Sequence, residues 1–400
     1  MKVLFDHQIF FQNQFGGIPK IFFEIFHRME ERKLDYECSV DLSNYTKGEI
    51  YSKSRKELIN KPPWFSLYTI YKIVKKVLNI FHLSLPEFIL NRESGLIRFS
   101  LKNQIGKINR NVIKDLTYNK YSVFHATYYR DYFLESLLES KTKFVLTVHD
   151  CVHELFPNYY GRKNFIIKNR ERLCLAADHI VCVSESTKSD LLKIYPNIQK
   201  EKVSVIYNAG DLSKEPTEGK KYFEQDFILF VGNRGEYKNF VFLLEAFAKI
   251  TDNNLLLVCA GGKDLNANEK VHLEKLNLQP RVVHMPFAEE STLANLYRQA
   301  KLFIYPSLYE GFGIPILESM SVGCPVLCSD IKVFREIANG AAAFFNPSEI
   351  NSLVRQLQIL LDSEKERETL RKKGYERVKD FSWKNCSDAY IEIYNKLSKN

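Results

Sequence analysis

The sequence predicts an α/β protein built from two doubly wound parallel-sheet domains that face a central cleft. The chain has 400 residues, 45% of them hydrophobic and 26% charged, which is an ordinary globular composition at a length too great for one compact core. Two regions alternate short apolar runs with amphipathic stretches of helical period, a pattern typical of parallel α/β layers. A polar stretch rich in turn formers, residues 208–221, separates the two regions and is typical of a linker.

Ten apolar runs are predicted as strands, five in each region. In the first region they are Lys2 to Phe5, Ser122 to His125, Phe144 to Val148, His179 to Val183 and Val203 to Ile206. In the second they are Phe227 to Val231, Leu255 to Ala260, Val282 to Met285, Leu302 to Tyr305 and Pro325 to Cys328. The predicted domains are residues 1–210 and 222–380, and a last helix within residues 381–400 is expected to pack back toward the first domain.

The net charge of +9 is concentrated in one segment of the first domain. Residues 47–120 contain 15 Lys and Arg against 5 Asp and Glu, so this basic insertion accounts for the whole excess. Within it, residues 67–83 are predicted to form a helix whose apolar face lies opposite Lys72, Lys75 and Lys76. This helix either packs in the domain with a solvated lysine face or lies against anionic lipid. Nucleic acid ranks last as a partner, because no recognised binding motif accompanies the basic residues.

Cysteine usage and hydropathy indicate a cytoplasmic protein. The eight cysteines are scattered without a C-x-x-C pair, which favours buried, reduced thiols. The first residues turn polar after three apolar positions, too few for a signal peptide. No run reaches the roughly 18 apolar residues of a membrane-spanning helix. We therefore expect any membrane contact to be peripheral, on the inner face of the cytoplasmic membrane.

The most specific pattern in the chain is the segment 309–320, directly after the last-but-one predicted strand. Gly311 and Gly313 surround one aromatic residue in a tight loop, and Pro315 stands at the predicted first position of a helix. Helix N-termini at the carboxyl ends of parallel strands bind anionic ligands in open α/β sheets. The segment therefore predicts a phosphate-binding loop.

Two carboxylates, Glu310 and Glu318, flank this loop. Because a carboxylate beside a diphosphate would be repelled, we expect both to accept hydrogen bonds from sugar hydroxyls. The combination predicts a ligand that carries both phosphate and sugar.

This segment resembles the Glu-(seven residues)-Glu signature of the family 4 retaining glycosyltransferases, which have the GT-B fold of two Rossmann-like domains around a cleft. Other segments resemble the family in the same order along the chain. They are Gly16-Gly17-Ile18-Pro19-Lys20, Thr147-Val148-His149-Asp150, Val181-Cys182-Val183-Ser184-Glu185-Ser186, Val205-Ile206-Tyr207-Asn208, the run from Val231 to Asn239, and Gly323-Cys324-Pro325-Val326. Only a stretch of about residues 45–115 has no segment that resembles this family.

The resemblance implies a retaining hexosyltransferase that takes its sugar from a nucleotide-diphosphate sugar. The residues that it assigns to the donor are Gly17, Asn233, Arg234, Lys238, Gly311, Phe312, Gly313 and Glu318. Lys238 and Arg234 would bind the donor phosphates, and Glu318 the ribose of the nucleotide. The family usually has Arg-Lys-Asn where this chain has Tyr237-Lys238-Asn239, so Arg234 is expected to supply the second cation.

The catalytic residues implied by the resemblance are Glu310, His149 and Asp150. Glu310 would hold hydroxyls of the transferred sugar as a positioning group, and His149 would contact the donor sugar from the end of a first-domain strand. His125, at the end of a neighbouring predicted strand, is a weaker candidate for the same cleft. Lys20 is expected to contact the acceptor or the donor phosphates.

Several absences narrow the expected chemistry. His149 and His153 are four residues apart, but no helix is predicted at the strand end and no third ligand is suitably spaced for zinc. The sequence contains no Asp-x-Asp, no G-x-G-x-x-G, no P-loop and no G-x-S-x-G. We therefore expect turnover without metal or cofactor.

The expected function is transfer of a sugar to a lipid-linked or saccharide acceptor in cell-surface polysaccharide biosynthesis, such as lipopolysaccharide or capsule. Two alternatives stay open. The same scaffold could serve a sugar-nucleotide epimerase or a phosphorylase. It could also be a catalytically silent, membrane-bound subunit of a polysaccharide assembly complex.

Overall fold

The computed structural model describes residues 1–12, 17–40, 103–160, 164–212, 221–286 and 290–399. Within these ranges the chain forms two α/β domains, each built on a parallel sheet of six strands. The predicted fold class is confirmed. The predicted helix of residues 67–83, with Lys72, Lys75 and Lys76, lies outside the described residues.

The first sheet has the strand order β2-β1-β3-β4-β5-β6. Its strands are β1 (Lys2–Phe5), β2 (Asp35–Cys38), β3 (Val123–Ala126), β4 (Lys143–Val148), β5 (His179–Cys182) and β6 (Val203–Val205). The helices of this domain are α1 (Gln8–Gln12), α2 (Gly17–Glu31), α3, whose described part covers residues 103–117, α4 (Leu134–Leu138), α5 (Val152–Leu155), α6 (Pro157–Tyr160), α7 (Phe165–Ala176) and α8 (Glu185–Ile194). Every residue of β3 is buried, as expected for a strand covered on both faces.

The second sheet has the strand order β12-β11-β10-β7-β8-β9. Its strands are β7 (Phe227–Val231), β8 (Leu256–Ala260), β9 (Val282–Met285), β10 (Leu302–Tyr305), β11 (Val326–Ser329) and β12 (Ala343–Phe345). The helices are α9 (Phe240–Phe247), α10 (Ala267–Lys275), α11 (Glu290–Gln299), α12 (Ile314–Ser321), α13 (Lys332–Ala338), α14 (Ile350–Asp362), α15 (Glu364–Arg377) and α16 (Trp383–Leu397).

The strand order of each sheet reverses direction at one point, between β1 and β3 in the first domain and between β7 and β10 in the second. Loops that leave two such strands run to opposite faces of the sheet, which opens a crevice at their carboxyl ends. In the second domain this crevice is formed by the loop after β7 and the segment after β10. The fold therefore brings two parts of the sequence together that are about seventy residues apart.

The last helix, α16, belongs to the first domain by its contacts. Arg28 of α2 forms an ion pair with Asp388, and the fully buried hydroxyls of Tyr390 and Tyr394 reach the first sheet. Tyr390 hydrogen-bonds Thr147 at 3.1 Å, and Tyr394 lies 2.7 Å from Nδ1 of His125. The chain thus crosses back after the second domain and completes the core of the first.

His125 is a core residue, so its assignment to the cleft is wrong. Its side chain is inaccessible to solvent, and its second ring nitrogen lies 2.9 Å from Oγ1 of Thr147. Burial lowers its pKa to about 3, so the imidazole is neutral at pH 7. A strand-end position alone could not distinguish this residue from His149.

All eight cysteines are free thiols, and seven of them are buried. Burial raises the pKa of those for which a shift is resolved, for example Cys324 to about 12, which keeps the thiol protonated. In the part of the chain that the structure describes, no helix is both long enough and apolar enough to cross a bilayer.

Candidate active site

The crevice of the second domain contains an ion pair between Lys238 and Glu310. Lys238 ends a short 3₁₀ turn, Glu236–Lys238, after β7, and its Nζ lies 2.5 Å from Oε1 of Glu310. Ser307 donates to the same carboxylate oxygen at 2.7 Å, and Tyr305 lies 3.4 Å from the ammonium nitrogen. The two charged side chains are only 14% and 12% exposed, so their attraction is little screened by water.

The pair holds Lys238 in its charged form. Burial alone would lower the pKa of this ammonium, but Glu310 and Tyr305 raise it above the ordinary lysine range. The Nζ also lies 5.0 Å from the ring centre of Tyr237 and 5.4 Å from that of Tyr305. A permanently charged ammonium is therefore fixed between two aromatic rings and a carboxylate.

Arg234 is oriented differently from the prediction. Its guanidinium forms an ion pair with Glu269 at 3.0 Å and donates to the carbonyls of Gly261 and Lys263. With a side chain only 4% exposed, it braces the loop from within. Its assignment as the second phosphate-binding cation stays a prediction, which requires the guanidinium to exchange Glu269 for the ligand. Asn233, the neighbouring predicted donor contact, is exposed.

The predicted phosphate-binding loop lies against the first domain. The carbonyl of Gly311 accepts hydrogen bonds from Ser184 at 2.7 Å and from Thr187 at 2.9 Å. A Cβ atom at Gly311 would lie 1.8 Å from the carbonyl oxygen of His149, so a side chain has no room here. Only glycine permits this approach of the two backbones.

The rest of this loop leads into α12. Phe312 is buried, and Gly313 precedes the helix with a φ of 109°, a left-handed conformation that favours glycine. Pro315 occupies the second helical position instead of the predicted first, because α12 begins at Ile314. The expected helix N-terminus is nevertheless present at the crevice.

Glu318 lies further along α12, at the contact between the two domains. Burial raises its pKa above the ordinary glutamate value, while Lys20 of the first domain opposes this shift. Lys20 is itself buried and donates to the backbone carbonyl of Asp211 at 3.2 Å. Gly17, also in α2, approaches so closely that an added Cβ would lie 2.3 Å from Cδ1 of Ile314. The first domain therefore supplies a glycine and a cation beside α12.

His149 and Asp150 follow β4 on the opposite side of the cleft. His149 is buried, and within the described residues neither ring nitrogen has a hydrogen-bond partner. Burial lowers the pKa of this imidazole to about 4, although Asp150 opposes the shift. A neutral ring with two unpartnered nitrogens in a cleft is suited to hydrogen-bonding a ligand hydroxyl.

Asp150 is partly exposed, with 32% of its side chain accessible, and one carboxylate oxygen accepts from the amide of Val152 at 3.1 Å. The four-residue helix α5 begins at Val152, so the expectation of no helix at this strand end is wrong. His149 nonetheless precedes that helix, so the helical register that would bring His149 and His153 to one face does not arise.

Three contributors to the site escaped the sequence analysis. Ser307 orients Glu310, as described above. The hydroxyl of Tyr309 accepts a hydrogen bond from the amide of Cys151 at 3.0 Å. Glu336 accepts from the amides of Glu185 and Ser186, at 2.7 and 3.0 Å, at the N-terminus of α8. Of these three, only Ser307 had a signal in the sequence, because it lies between a predicted strand and Glu310.

The fold defines a two-domain α/β protein whose strand-end loops place an ion pair, a helix N-terminus and a buried histidine at one cleft. Residues 213–377 match the family model for glycosyl transferases group 1, and residues 88–214 match the model for glycosyltransferase family 4. The chain belongs to the family 4 glycosyltransferases and has the GT-B fold.

Curated relatives agree with this membership, and solved structures share the fold. The chain is 26% identical to O-antigen chain mannosyltransferase B of Escherichia coli, over 63% of this chain and 70% of that protein. It is 32% identical to O-antigen chain mannosyltransferase RfbU of Salmonella typhimurium, over 54% of this chain and 59% of that protein. Among solved structures, sucrose-phosphate synthase from Thermosynechococcus elongatus has a TM-score of 0.70 at 16% identity and covers 99% of both chains, which shows a shared fold.

A third relative is named as an N-acetylgalactosaminyltransferase. The chain is 28% identical to the N-acetylgalactosamine-N,N'-diacetylbacillosaminyl-diphospho-undecaprenol 4-alpha-N-acetylgalactosaminyltransferase of Campylobacter jejuni, over 51% of this chain and 56% of that protein. The matched part of the chain thus spans 56% to 70% of the length of these three relatives.

We predict that Gly311→Ala separates the two domains at this contact. The added methyl group would overlap the carbonyl of His149, and overpacking of this kind costs about 1–3 kcal/mol. The melting temperature and the turnover of a sugar nucleotide should both fall, turnover by roughly tenfold or more.

The matched control is Gly106→Ala in α3, where an added Cβ meets only the end of Arg110 at 3.7 Å. Alanine is favoured over glycine in a helix, so this variant should melt at or slightly above the wild-type temperature. Wild-type melting and turnover for Gly311→Ala would show that the close approach is not required.

Proposed function

We propose that the protein transfers a hexose, with retention of anomeric configuration and without a divalent metal, from a nucleotide-diphosphate sugar to a saccharide carried on a lipid. The observation that carries this proposal is the buried pair of Lys238 and Glu310 at the crevice of the second domain. A charged amine beside a carboxylate at a helix N-terminus suits a ligand with phosphate at one end and hydroxyls at the other.

In this proposal the donor diphosphate takes the place of Glu310 as the partner of Lys238. An ammonium has three donors, so it can keep Glu310 within reach while it binds phosphate oxygens. Glu310 is then free to accept hydrogen bonds from the transferred sugar, and Glu318 accepts them from the ribose. As negative charge builds on the departing nucleotide, Lys238 and the N-terminus of α12 stabilise it.

His149 contributes as a hydrogen-bonding group from the first domain. A pKa of about 4 means that its ring is neutral at pH 7, so it can both donate to and accept from a sugar hydroxyl. Its unpartnered nitrogens are costly to bury without a ligand. A donor sugar in the cleft would remove that cost.

Retention of the anomeric configuration without a covalent intermediate is consistent with the hydrogen bonding of Glu310. With the donor bound, a carboxylate that accepts hydrogen bonds from Ser307 and from the transferred sugar is a weak nucleophile, because its charge is already partly neutralised. We propose displacement on the same face of the sugar, in which the leaving phosphate assists deprotonation of the acceptor hydroxyl. Glu310 then orients the sugar.

The acceptor class and location of the enzyme rest on its relatives. Two of them are named for O-antigen chain synthesis and one for a diphospho-undecaprenol-linked saccharide. We propose the same class of acceptor here, in cell-surface polysaccharide biosynthesis. An enzyme with such an acceptor would work at the inner face of the cytoplasmic membrane, where the basic insertion of residues 47–120 would contact anionic lipid.

We predict that Lys238→Ala and Glu318→Ala each weaken nucleotide-sugar binding by roughly ten- to a hundredfold, the range expected for one charge-assisted hydrogen bond. Calorimetric titration with the sugar nucleotide that most stabilises the wild type in a thermal-shift screen measures the effect. Lys249→Ala is the control, because the ammonium of this surface lysine hydrogen-bonds the side chain of Asn351, which is not a site residue. Wild-type affinity in both site variants would exclude the proposed donor site.

We predict that turnover continues in excess EDTA. The expected phosphate-neutralising groups are Lys238 and a helix N-terminus, neither of which needs a bridging cation. Release of nucleoside diphosphate from the sugar nucleotide is followed before and after chelation. Activity that disappears with EDTA and returns with magnesium or manganese would contradict metal independence.

We predict that changing Lys72, Lys75 and Lys76 to Glu together abolishes binding to anionic vesicles. Each lysine near an anionic surface contributes about 1 kcal/mol, so three account for roughly two orders of magnitude in partitioning. Co-sedimentation with phosphatidylserine-containing vesicles is compared with that on zwitterionic vesicles, at low and high salt. If the variant pellets as well as the wild type, the basic insertion does not bind membrane through these residues.

A further inference from the structure

A buried arginine lies beneath the end of β4, next to His149 and Asp150. Arg170 projects from α7 and its side chain is inaccessible to solvent. Its Nη1 donates to the backbone carbonyl of Asp150 at 2.5 Å and to Oε2 of Glu154 at 2.8 Å. Its Nη2 lies 4.0 Å from the carboxylate of Asp150. One guanidinium thus holds both the backbone and the side chain of this residue.

Tyr129 holds the other end of the same dipeptide. Its buried hydroxyl accepts a hydrogen bond from the amide of His149 at 3.0 Å, and the guanidinium carbon of Arg170 lies 4.3 Å from its ring centre. Asn169 donates to the backbone carbonyl of Tyr129 at 3.2 Å, which ties the tyrosine to α7. The N–H of His149 and the C=O of Asp150 are therefore anchored by two side chains that also contact each other.

Stability alone does not account for this arrangement. A buried ion pair contributes little compared with apolar residues of the same volume, because both charges lose their hydration. Within the described residues, Nε and Nη2 of Arg170 have no hydrogen-bond partner, and buried donors left unpaired are destabilising. The fully buried charge of Arg170 at the end of β4 therefore needs an explanation other than stability. Its hydrogen bond to the backbone of Asp150 indicates a role in fixing the position of that backbone.

The imidazole of His149 depends on that anchor. Neither of its ring nitrogens is hydrogen-bonded within the described residues, so its position is set by its own backbone and by packing, for example against Phe22 at 6.3 Å between ring centres. A displacement of about 1 Å in a group that positions substrate is enough to reduce turnover substantially.

We propose that Arg170 and Tyr129 are positioning residues that fix the His149–Asp150 dipeptide toward the cleft. The inference rests on the proposed function for its kinetic consequence, but the placement of the imidazole can be measured without any activity. On the proposed function the phosphate and ribose contacts lie in the other domain, so the two residues act mainly on turnover and leave most of the donor affinity intact.

The first test combines Arg170→Met with Glu154→Gln. This double variant removes both buried charges together, and the new amide side chain can still accept from Tyr195, whose hydroxyl lies 2.9 Å from Glu154 in the wild type. We expect kcat to fall by roughly ten- to a hundredfold, as for loss of a hydrogen bond from a charged donor, with KM for the sugar nucleotide within about threefold of wild type. Glu154→Gln alone is the matched control: it should melt at a lower temperature, because Arg170 loses a buried counterion, but keep near wild-type kcat, because the bond from Arg170 to Asp150 remains.

The second test uses Tyr129→Phe, which keeps the ring beside the guanidinium and removes only the acceptor for the amide of His149. This variant should fold even if the double variant does not, and it should lower kcat without raising KM. Wild-type kcat in either of the two variants, provided that it folds, would overturn the proposal.

An independent readout is the titration of His149, followed by NMR and assigned by comparison with His149→Asn. Burial lowers the pKa of this imidazole to about 4. When the anchor is broken, the ring should gain access to water and its pKa should rise toward the ordinary value of about 6.5. An unchanged titration in Tyr129→Phe would refute the positioning role, whereas absence of nucleoside diphosphate release by the wild type would refute only the proposed function.

Discussion

The close approach of Gly311 to the carbonyl of His149 is the constraint on which the rest of the site depends. A parallel sheet exposes its carboxyl-end loops at one edge, and here two such edges face each other. The distance between them is set by backbone atoms, since no Cβ fits at the point of contact. Hydrogen bonds from Ser184 and Thr187 to the carbonyl of Gly311 then fix the orientation of the loop. His149 is one partner of this contact and Glu310 directly precedes the other, so the separation of their side chains across the cleft follows from it.

Two further glycines repeat this arrangement along α12. A Cβ at Gly17 would overlap Ile314, and a Cβ at Gly210 would lie 2.7 Å from that of Leu317. One helix of the second domain is thus approached from the amino-terminal helix and from the linker. The return of α16 to the first domain gives the chain a second crossing between the two domains. Three close approaches at glycines and two chain crossings therefore position one domain on the other.

Ten of the twelve described strands were predicted from the sequence, and the two that were missed share a physical cause. Strands covered on both faces appear as short continuous apolar runs, so β7 and β10 were predicted at their observed bounds. The missed strands, β2 and β12, are the edges of their sheets and are short. The sequence of β2, Asp-Tyr-Glu-Cys, has no apolar run, because an edge strand is paired on one side only and remains partly exposed.

The sequence was sufficient to locate the candidate site, but not to predict which side chains contact each other there. Glycine spacing and the two glutamates identified the loop after β10, since these depend on local backbone conformation. The partners of Arg234 and His125 could not be identified in this way. Glu269 is 35 residues from Arg234, and Tyr394 is 269 residues from His125, so only the folded topology brings them together. The same limit concealed Arg170, whose importance lies entirely in what it touches.

The orientation of Arg234 changes how a diphosphate would be neutralised. With that guanidinium paired to Glu269, the loop after β7 offers the charge of Lys238, and further positive potential comes from the N-terminus of α12. Lys20, a cation of the first domain, lies beside Glu318 at the contact between the domains. On the proposed function, Lys20 therefore adds its charge to the donor site only when the two domains are in contact. A donor that binds the protein more tightly when the two domains are in contact than when they are apart must stabilise the contact by the same free energy. Donor binding and domain approach are therefore thermodynamically linked.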